Sequence, residues 1–168
     1  MNLLQRLAAP FRRTSRMSSA SVYRRAGRIY VVTQHGSGGG DPCIVAGPLE
    51  VLATDAPPEA LGAAVLRGLS RTTHHYSYPA DQQEWKKVTA PLLSEARCRS
   101  WVAFAKSASE LRVDALDGKI LVRPSRRGER NAFYPVAERD QELTAPTAAQ
   151  LGELVAAELE FAARRDNA

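Results

Sequence analysis

The sequence predicts an α+β fold, an antiparallel β-sheet with three to four helices packed mainly on one face. Three observations carry that expectation. Two β-branched runs flank a glycine-rich stretch, which is hairpin context. An Asp117-Gly118 pair sits between two apolar alternations, a hairpin signal because both turn residues need positive φ. Apolar residues recur at helical spacing behind proline-bearing starts.

Taken in order, residues 1–25 read as a basic arm and residues 26–168 as a single domain. The arm holds Arg6, Arg12, Arg13, Arg16, Arg24 and Arg25 and no acid. The whole chain has 23 basic and 18 acidic residues; without the arm 17 basic residues face 18 acidic ones. Basicity therefore belongs to the arm, which could touch nucleic acid or an anionic membrane. Arg and Ser without acids also resemble a targeting peptide, but Arg6 and Pro10 interrupt the apolar run a secretory signal needs. Met17 offers an alternative start, and a disordered tail or an overlong start is the plainer reading.

Residues 28–34 (RIYVVTQ) read as a strand, and residues 43–54 (CIVAGPLEVLAT) as one or two strands interrupted at Gly47-Pro48. Asp55 is a good N-cap for a helix over residues 57–70, with Leu61, Val65 and Leu69 in register. Residues 72–82 (TTHHYSYPADQ) form a loop. The next segment reads as helical in pieces, Pro91 opening its second part. Ser100 caps a stripe of Trp101, Phe104, Ala105 and Ala108. Residues 111–116 and 119–123 flank the Asp-Gly turn, residues 132–136 and 139–143 suggest further strands, and Pro146 opens a long helix. Leu61-Gly62 and Leu151-Gly152 sit at equal depth in two helices. A helical glycine costs about 1 kcal/mol against Ala. Close backbone approach offsets that, so both helices are expected to lie tightly on the sheet, glycine side inward.

Hydrophobic residues make up 44% and charged residues 24%, ordinary for a soluble globular protein. No apolar run approaches the roughly 20 residues that span a bilayer. Cys43 and Cys98 form neither a disulfide framework nor a zinc pattern, and fit a reducing compartment.

The stretch TQHGSGGGDPC, residues 33–43, is the first candidate for chemistry. A phosphate loop of the Walker type needs Gly-Lys-Ser/Thr, but Asp41-Pro42 follows Gly40. A dinucleotide site needs a helix to start at the glycines, and an oxyanion loop of the lipase kind needs a Gly-x-Ser-x-Gly elbow, which is missing. The stretch therefore reads as a mobile hairpin loop. His74 and His75 adjoin Tyr76 and Tyr78, but adjacent side chains diverge and a shared metal is disfavoured. No metal or cofactor is expected. Tyr76, Tyr78 and Trp85 read either as a protein contact or as a loop folded on its own domain by ring packing. Arg123, Arg126, Arg127 and Arg130 could hold phosphates or an acidic protein, or sit in a solvated loop between strands. Asp114, Asp117, Glu138, Asp140 and Glu142 show no spacing specific to acid–base catalysis. The lack of a nucleophile elbow, a metal set and a phosphate loop points to a binding protein rather than an enzyme.

The order LGAAVLRGLSR, a loop with Pro79 and Trp85, APLLSEARCRSWVAFAKSA, LRVDALDGKILVRPSRRG, FYPV and LGELVAAEL resembles one family of contact-dependent growth inhibition (CDI) immunity proteins. Its most telling elements are Pro91-Leu92-Leu93, Ser100-Trp101 with Phe104, and the strand–turn–strand ending at Pro124. The resemblance covers roughly residues 28–163. It implies a small cytoplasmic protein without enzymatic activity. Its partner would be the toxic C-terminal domain of a cognate contact-delivered effector, often a nuclease, neutralised in the producing cell. On that reading the toxin contacts fall near Tyr76, Tyr78 and Trp85, or on the hairpin acids Asp114 and Asp117. The rival is a nucleic-acid-associated protein using the arm and residues 123–130, with steeply salt-dependent binding. A small hydrolase or transferase is a third reading.

Overall fold

Residues 16–38, 42–129 and 132–166 are described in a computed structural model. The chain runs β1 (Ser18–Arg25), β2 (Arg28–His35), β3 (Ile44–Ala53), α1 (Pro58–Ser70), α2 (Gln82–Glu95), α3 (Trp101–Ala105), β4 (Ser109–Leu116), β5 (Lys119–Arg127), β6 (Phe133–Pro135), β7 (Gln141–Thr144) and α4 (Ala148–Asp166). The strands form one seven-stranded sheet in the order β3-β2-β1-β4-β5-β6, with β7 also on β5. Every pairing is antiparallel.

The largest departure from the sequence reading is β1. Residues 18–25 belong not to an arm but to the centre of the sheet, bonded to β2 on one side and β4 on the other. Alternation explains both the strand and why it was missed. Ala20 and Val22 face one side, and Ser19, Ser21 and Tyr23 face the other; all five are buried. The serines read as solvent-seeking in sequence, yet each donates to a carboxylate of β4, Ser19 to Asp114 and Ser21 to Glu110. Residues 1–15 of the expected arm lie outside the described residues.

The local signals hold elsewhere, with shifts. Asp117 and Gly118 take φ of 52° and 78° between β4 and β5, the turn expected of them. Residues 43–54 give one strand; Gly47-Pro48 falls where the β2–β3 register shifts rather than where a strand ends. Asp55 does not cap α1, whose N-cap is Pro57. Pro91 lies inside a continuous α2 instead of opening a second helix. Proline removes one helical bond, but Asp81 caps the helix, accepting from the N–H groups of Gln83 and Glu84 at 2.8 and 2.9 Å. Thr147 and Gln150 cap α4 reciprocally: Gln150 N–H donates to Thr147 Oγ1 at 3.2 Å and Thr147 N–H to Gln150 Oε1 at 2.9 Å. Residues 123–127, read as part of a loop, continue β5, while Arg130 lies outside the described residues.

Helices α1 and α4 lie together on the first face of the sheet. There Ala20, Val22, Ile29, Val31, Leu111, Val113, Ile120 and Val122 meet Leu61, Val65, Leu69, Leu151, Val155 and Leu159. Each fully buried aliphatic side chain contributes about 1.5–3 kcal/mol. Helices α2 and α3 lie across the second face, where Tyr23, Tyr30 and Val32 meet Leu92, Ala96 and Phe104. Gly62 and Gly152 serve close approach, but to each other's helix rather than to the sheet. A Cβ on Gly62 would lie 1.8 Å from the carbonyl oxygen of Ala148, and one on Gly152 would lie 1.7 Å from that of Pro58.

Candidate protein-binding surface

The second face divides into a polar and an aromatic half. In the polar half Asp114 accepts from Ser19 Oγ and, at 2.7 Å, from Arg112 Nε. Its second oxygen lies 3.3 Å from Arg123, which also reaches Asp140 at 3.4 Å. Arg112 donates to the Pro42 carbonyl at 2.9 Å and so ties the start of β3 to the sheet. Burial pushes the Glu110 carboxyl up, against the hydrogen bonds of Ser125, Ser21 and Tyr23 and the charge of Arg112. The Tyr23 phenol is raised well above its ordinary value, first by burial and then by the charge of Glu110. These groups pair across β1, β4 and β5, while Asp114 Oδ2 and Arg123 Nε are within ion-pair reach, and neither they nor Asp140 Oδ1 has a hydrogen bond among the described residues. Among the described residues no group of three His, Cys, Asp or Glu side chains could hold a metal ion.

The glycine-rich stretch and the histidine–tyrosine loop, separate in sequence, meet at the end of β2. Gly36 N–H donates to Thr73 O at 2.7 Å, Gly38 N–H to His74 O at 2.9 Å, and Tyr76 N–H to Gly36 O at 3.0 Å. Ser37 forms an isolated bridge with His75. His35 pins this seam. Its Nδ1 accepts from Thr73 N–H at 3.1 Å, its Nε2 meets Gly47 O at 2.5 Å, and its ring stacks on Tyr76 with centroids 5.0 Å apart. The two contacts assign the proton to Nε2. The amides of Gly36 and Gly38 are thus spent on carbonyls, which leaves them nothing to offer a phosphate. Gly39, Gly40 and Asp41 lie outside the described residues. Burial, followed by the charges of Arg16 and His75, holds His74 below the ordinary imidazole range.

Beside the seam, a groove of about 800 Å³ opens between the start of β3, α2 and α3. Its walls are Cys43, Val45, Trp85, Leu93, Cys98, Trp101 and Val102, with Lys86 and Arg99 among the polar lining. Asp81 fixes the first turn of α2, and with it Trp85. Tyr78 meets Trp85 edge to face, centroids 5.5 Å apart. Trp101 rests on Tyr23 at 6.0 Å and Phe104 at 5.5 Å. The inner wall is therefore set by core rings. The rim stays open, with Tyr78 59% and Val102 54% exposed.

Three of the five residues singled out from sequence come together here: Tyr78 and Trp85 at the groove, and Tyr76 in the adjoining seam. Asp117 is exposed in the β4–β5 turn, away from them. Asp114 points inward, only 4% exposed, into the polar half of the sheet. Sequence reading missed His35, Trp101 and Val102 as parts of this surface. Val102 left a signal, an apolar residue off the stripe of Trp101, Phe104 and Ala105. Cys43 and Cys98 left none, since only the fold brings them to one groove.

An open aromatic groove set against the core rings of an antiparallel sheet makes this a binding scaffold. The sequence matches the family of CDI immunity proteins over residues 18–161, and the chain belongs to that family. It is an immunity protein of contact-dependent growth inhibition, with a CDI toxin domain as partner. The match begins at Ser18, the first residue of β1. The fold is similar to that of a protein of unknown function, NMB0488, from Neisseria meningitidis, with a TM-score of 0.71 and 21% identity over 87% of this chain and 95% of that one. It is also similar to a chain of the CdiA-CT/CdiI toxin and immunity complex from Yersinia pseudotuberculosis, with a TM-score of 0.68 and 16% identity over 89% of this chain and 97% of that one. No curated protein matches the sequence. Among the described residues no helix is long and apolar enough to cross a membrane.

Proposed function

We propose that this chain neutralises its toxin by occlusion, without chemistry of its own, in the cytoplasm of the producing cell. The toxin would dock on the groove between β3, α2 and α3, with Tyr78, Trp85 and Val102 as anchors and Tyr76 holding the adjoining loop. The observation that carries this reading is the open aromatic groove itself. Aromatic anchors in water-excluding pockets dominate protein interfaces. Asp117 would contribute at most a rim charge, which alters association rate more than affinity. The resemblance implies a toxin that is often a nuclease. Nucleic-acid binding through residues 123–130 is the weaker reading, since Arg123 is held between Asp114 and Asp140.

The test is co-expression with the C-terminal domain of the effector encoded beside this chain. Growth rescue and a 1:1 complex are expected, both lost in a Tyr78→Ser/Val102→Ser double variant that melts like the wild type. Rescue that survives the double variant would move the interface elsewhere.

A further inference from the structure

A second concave surface lies at the other end of α3. Topology brings the end of β1, the start of β2, the end of β5 and the last turns of α4 to one end of the sheet. They carry Arg24, Arg25, Arg28, Arg126, Arg127, Arg164 and Arg165. Between them sits a recess of about 330 Å³ lined by Arg24, Arg25, Lys106, Ser107 and Arg127, with no Asp or Glu among the described residues of its lining. The recess is held in shape from within. Arg25 donates to Ser107 Oγ at 2.8 Å and to Ala96 O at 2.9 Å, and Arg127 donates to the carbonyls of Ala105 and Lys106. Glu160 takes up part of the charge through Arg24 and Arg164. Arg28, Lys106 and Arg126 are exposed.

We infer that this basic recess receives a cluster of carboxylates on the same toxin domain that fills the groove. The inference rests on the docking proposed above and adds the charge of the partner. Two observations select this occupant. Trp101 and Val102, in the first turn of α3, line the groove, and Lys106, just past its end, lines the recess. Five residues of helix are about 8 Å long, so one docked protein covers both. The charge also continues into the groove as Lys86 and Arg99. A nucleic acid strand fits less well. Binding of single strands uses successive stacking rings, and Tyr134 is the one large aromatic exposed at this end among the described residues. The contact face of the toxin is therefore acidic and apolar. A cleft built to hold phosphates would be repelled here, so a nuclease toxin would be gripped outside its substrate cleft.

The experiment measures association of the full chain with the C-terminal domain of its cognate effector, for the wild type and an Arg28→Glu/Lys106→Glu/Arg126→Glu variant. None of these three side chains is a groove anchor. Lys106→Gln alone serves as a milder second variant. Charge reversal is expected to slow association at least about tenfold at about 0.05 M salt, with the gap closing at about 0.5 M and dissociation little changed. An unchanged association rate beside an intact complex overturns this inference and leaves the groove proposal standing. No wild-type complex at all overturns both. A labelled single-stranded oligonucleotide bound by the wild type and not by the variant, with toxin association unchanged, overturns it in favour of a nucleic acid.

Discussion

The two faces of the sheet are built from the same strands and solve different problems. The first face is aliphatic, and α1 and α4 seal it so closely that two glycines leave room only for backbone. The second mixes rings, hydroxyls and carboxylates, under helices α2 and α3. Stability is concentrated where the packing has no tolerance, and recognition where side chains reach past the packing into solvent. A surface that must match a partner can change if the other face keeps the fold.

Four substitutions test that division, from the largest expected effect on stability to the smallest. Gly152→Val places a side chain on the Pro58 carbonyl, and neither helix can yield without leaving the sheet. A loss of about 3–5 kcal/mol is expected in urea unfolding; a smaller loss would mean the helix crossing is looser than the first face requires. Asp114→Ala leaves Ser19, Arg112 and Arg123 without their shared acceptor. Both arginines are partly exposed, so about 2–3 kcal/mol is expected rather than the full cost of breaking a buried pair. A loss as large as that of Gly152→Val would show that the second face carries the fold as well.

Glu110→Gln gives a smaller effect with a pH signature. The folded chain holds the Glu110 proton to higher pH than the unfolded chain does. Stability from this group is therefore full below the ordinary carboxylate range and falls as pH rises through the raised value. The variant should lack that fall, visible as a flatter melting temperature between acid and neutral pH. A slope equal to the wild type's would remove Glu110 from the account. Tyr78→Ser should change stability by no more than about 0.5 kcal/mol while weakening the toxin complex by about 2 kcal/mol, read by calorimetry. Equal losses in both would erase the distinction between faces.

What the sequence made legible follows the same division. The Asp117-Gly118 turn and the stripes of α1 and α4 are local rules with one partner each, and they appear where expected. Strand β1 failed because Ser19 and Ser21 are polar by composition and buried by partnership, with acids about 90 residues away that no window can see. The paired glycines signalled close approach but not its object, since spacing within a helix says nothing about what faces it. Tyr78 and Trp85 were legible as an aromatic group. His35 was not, because its work is to fasten residues 73–76, and that contact exists only once the sheet has formed.

The placement of β1 has a consequence in time. Ser19 bonds Asp114 across 95 residues, so the middle of the sheet cannot close on a ribosome until β4 has emerged. Pairings this distant set folding in roughly milliseconds to seconds rather than microseconds. A chain cut short before β4 would therefore leave the centre of the sheet unpaired on one side of β1 and offer no finished surface to a toxin.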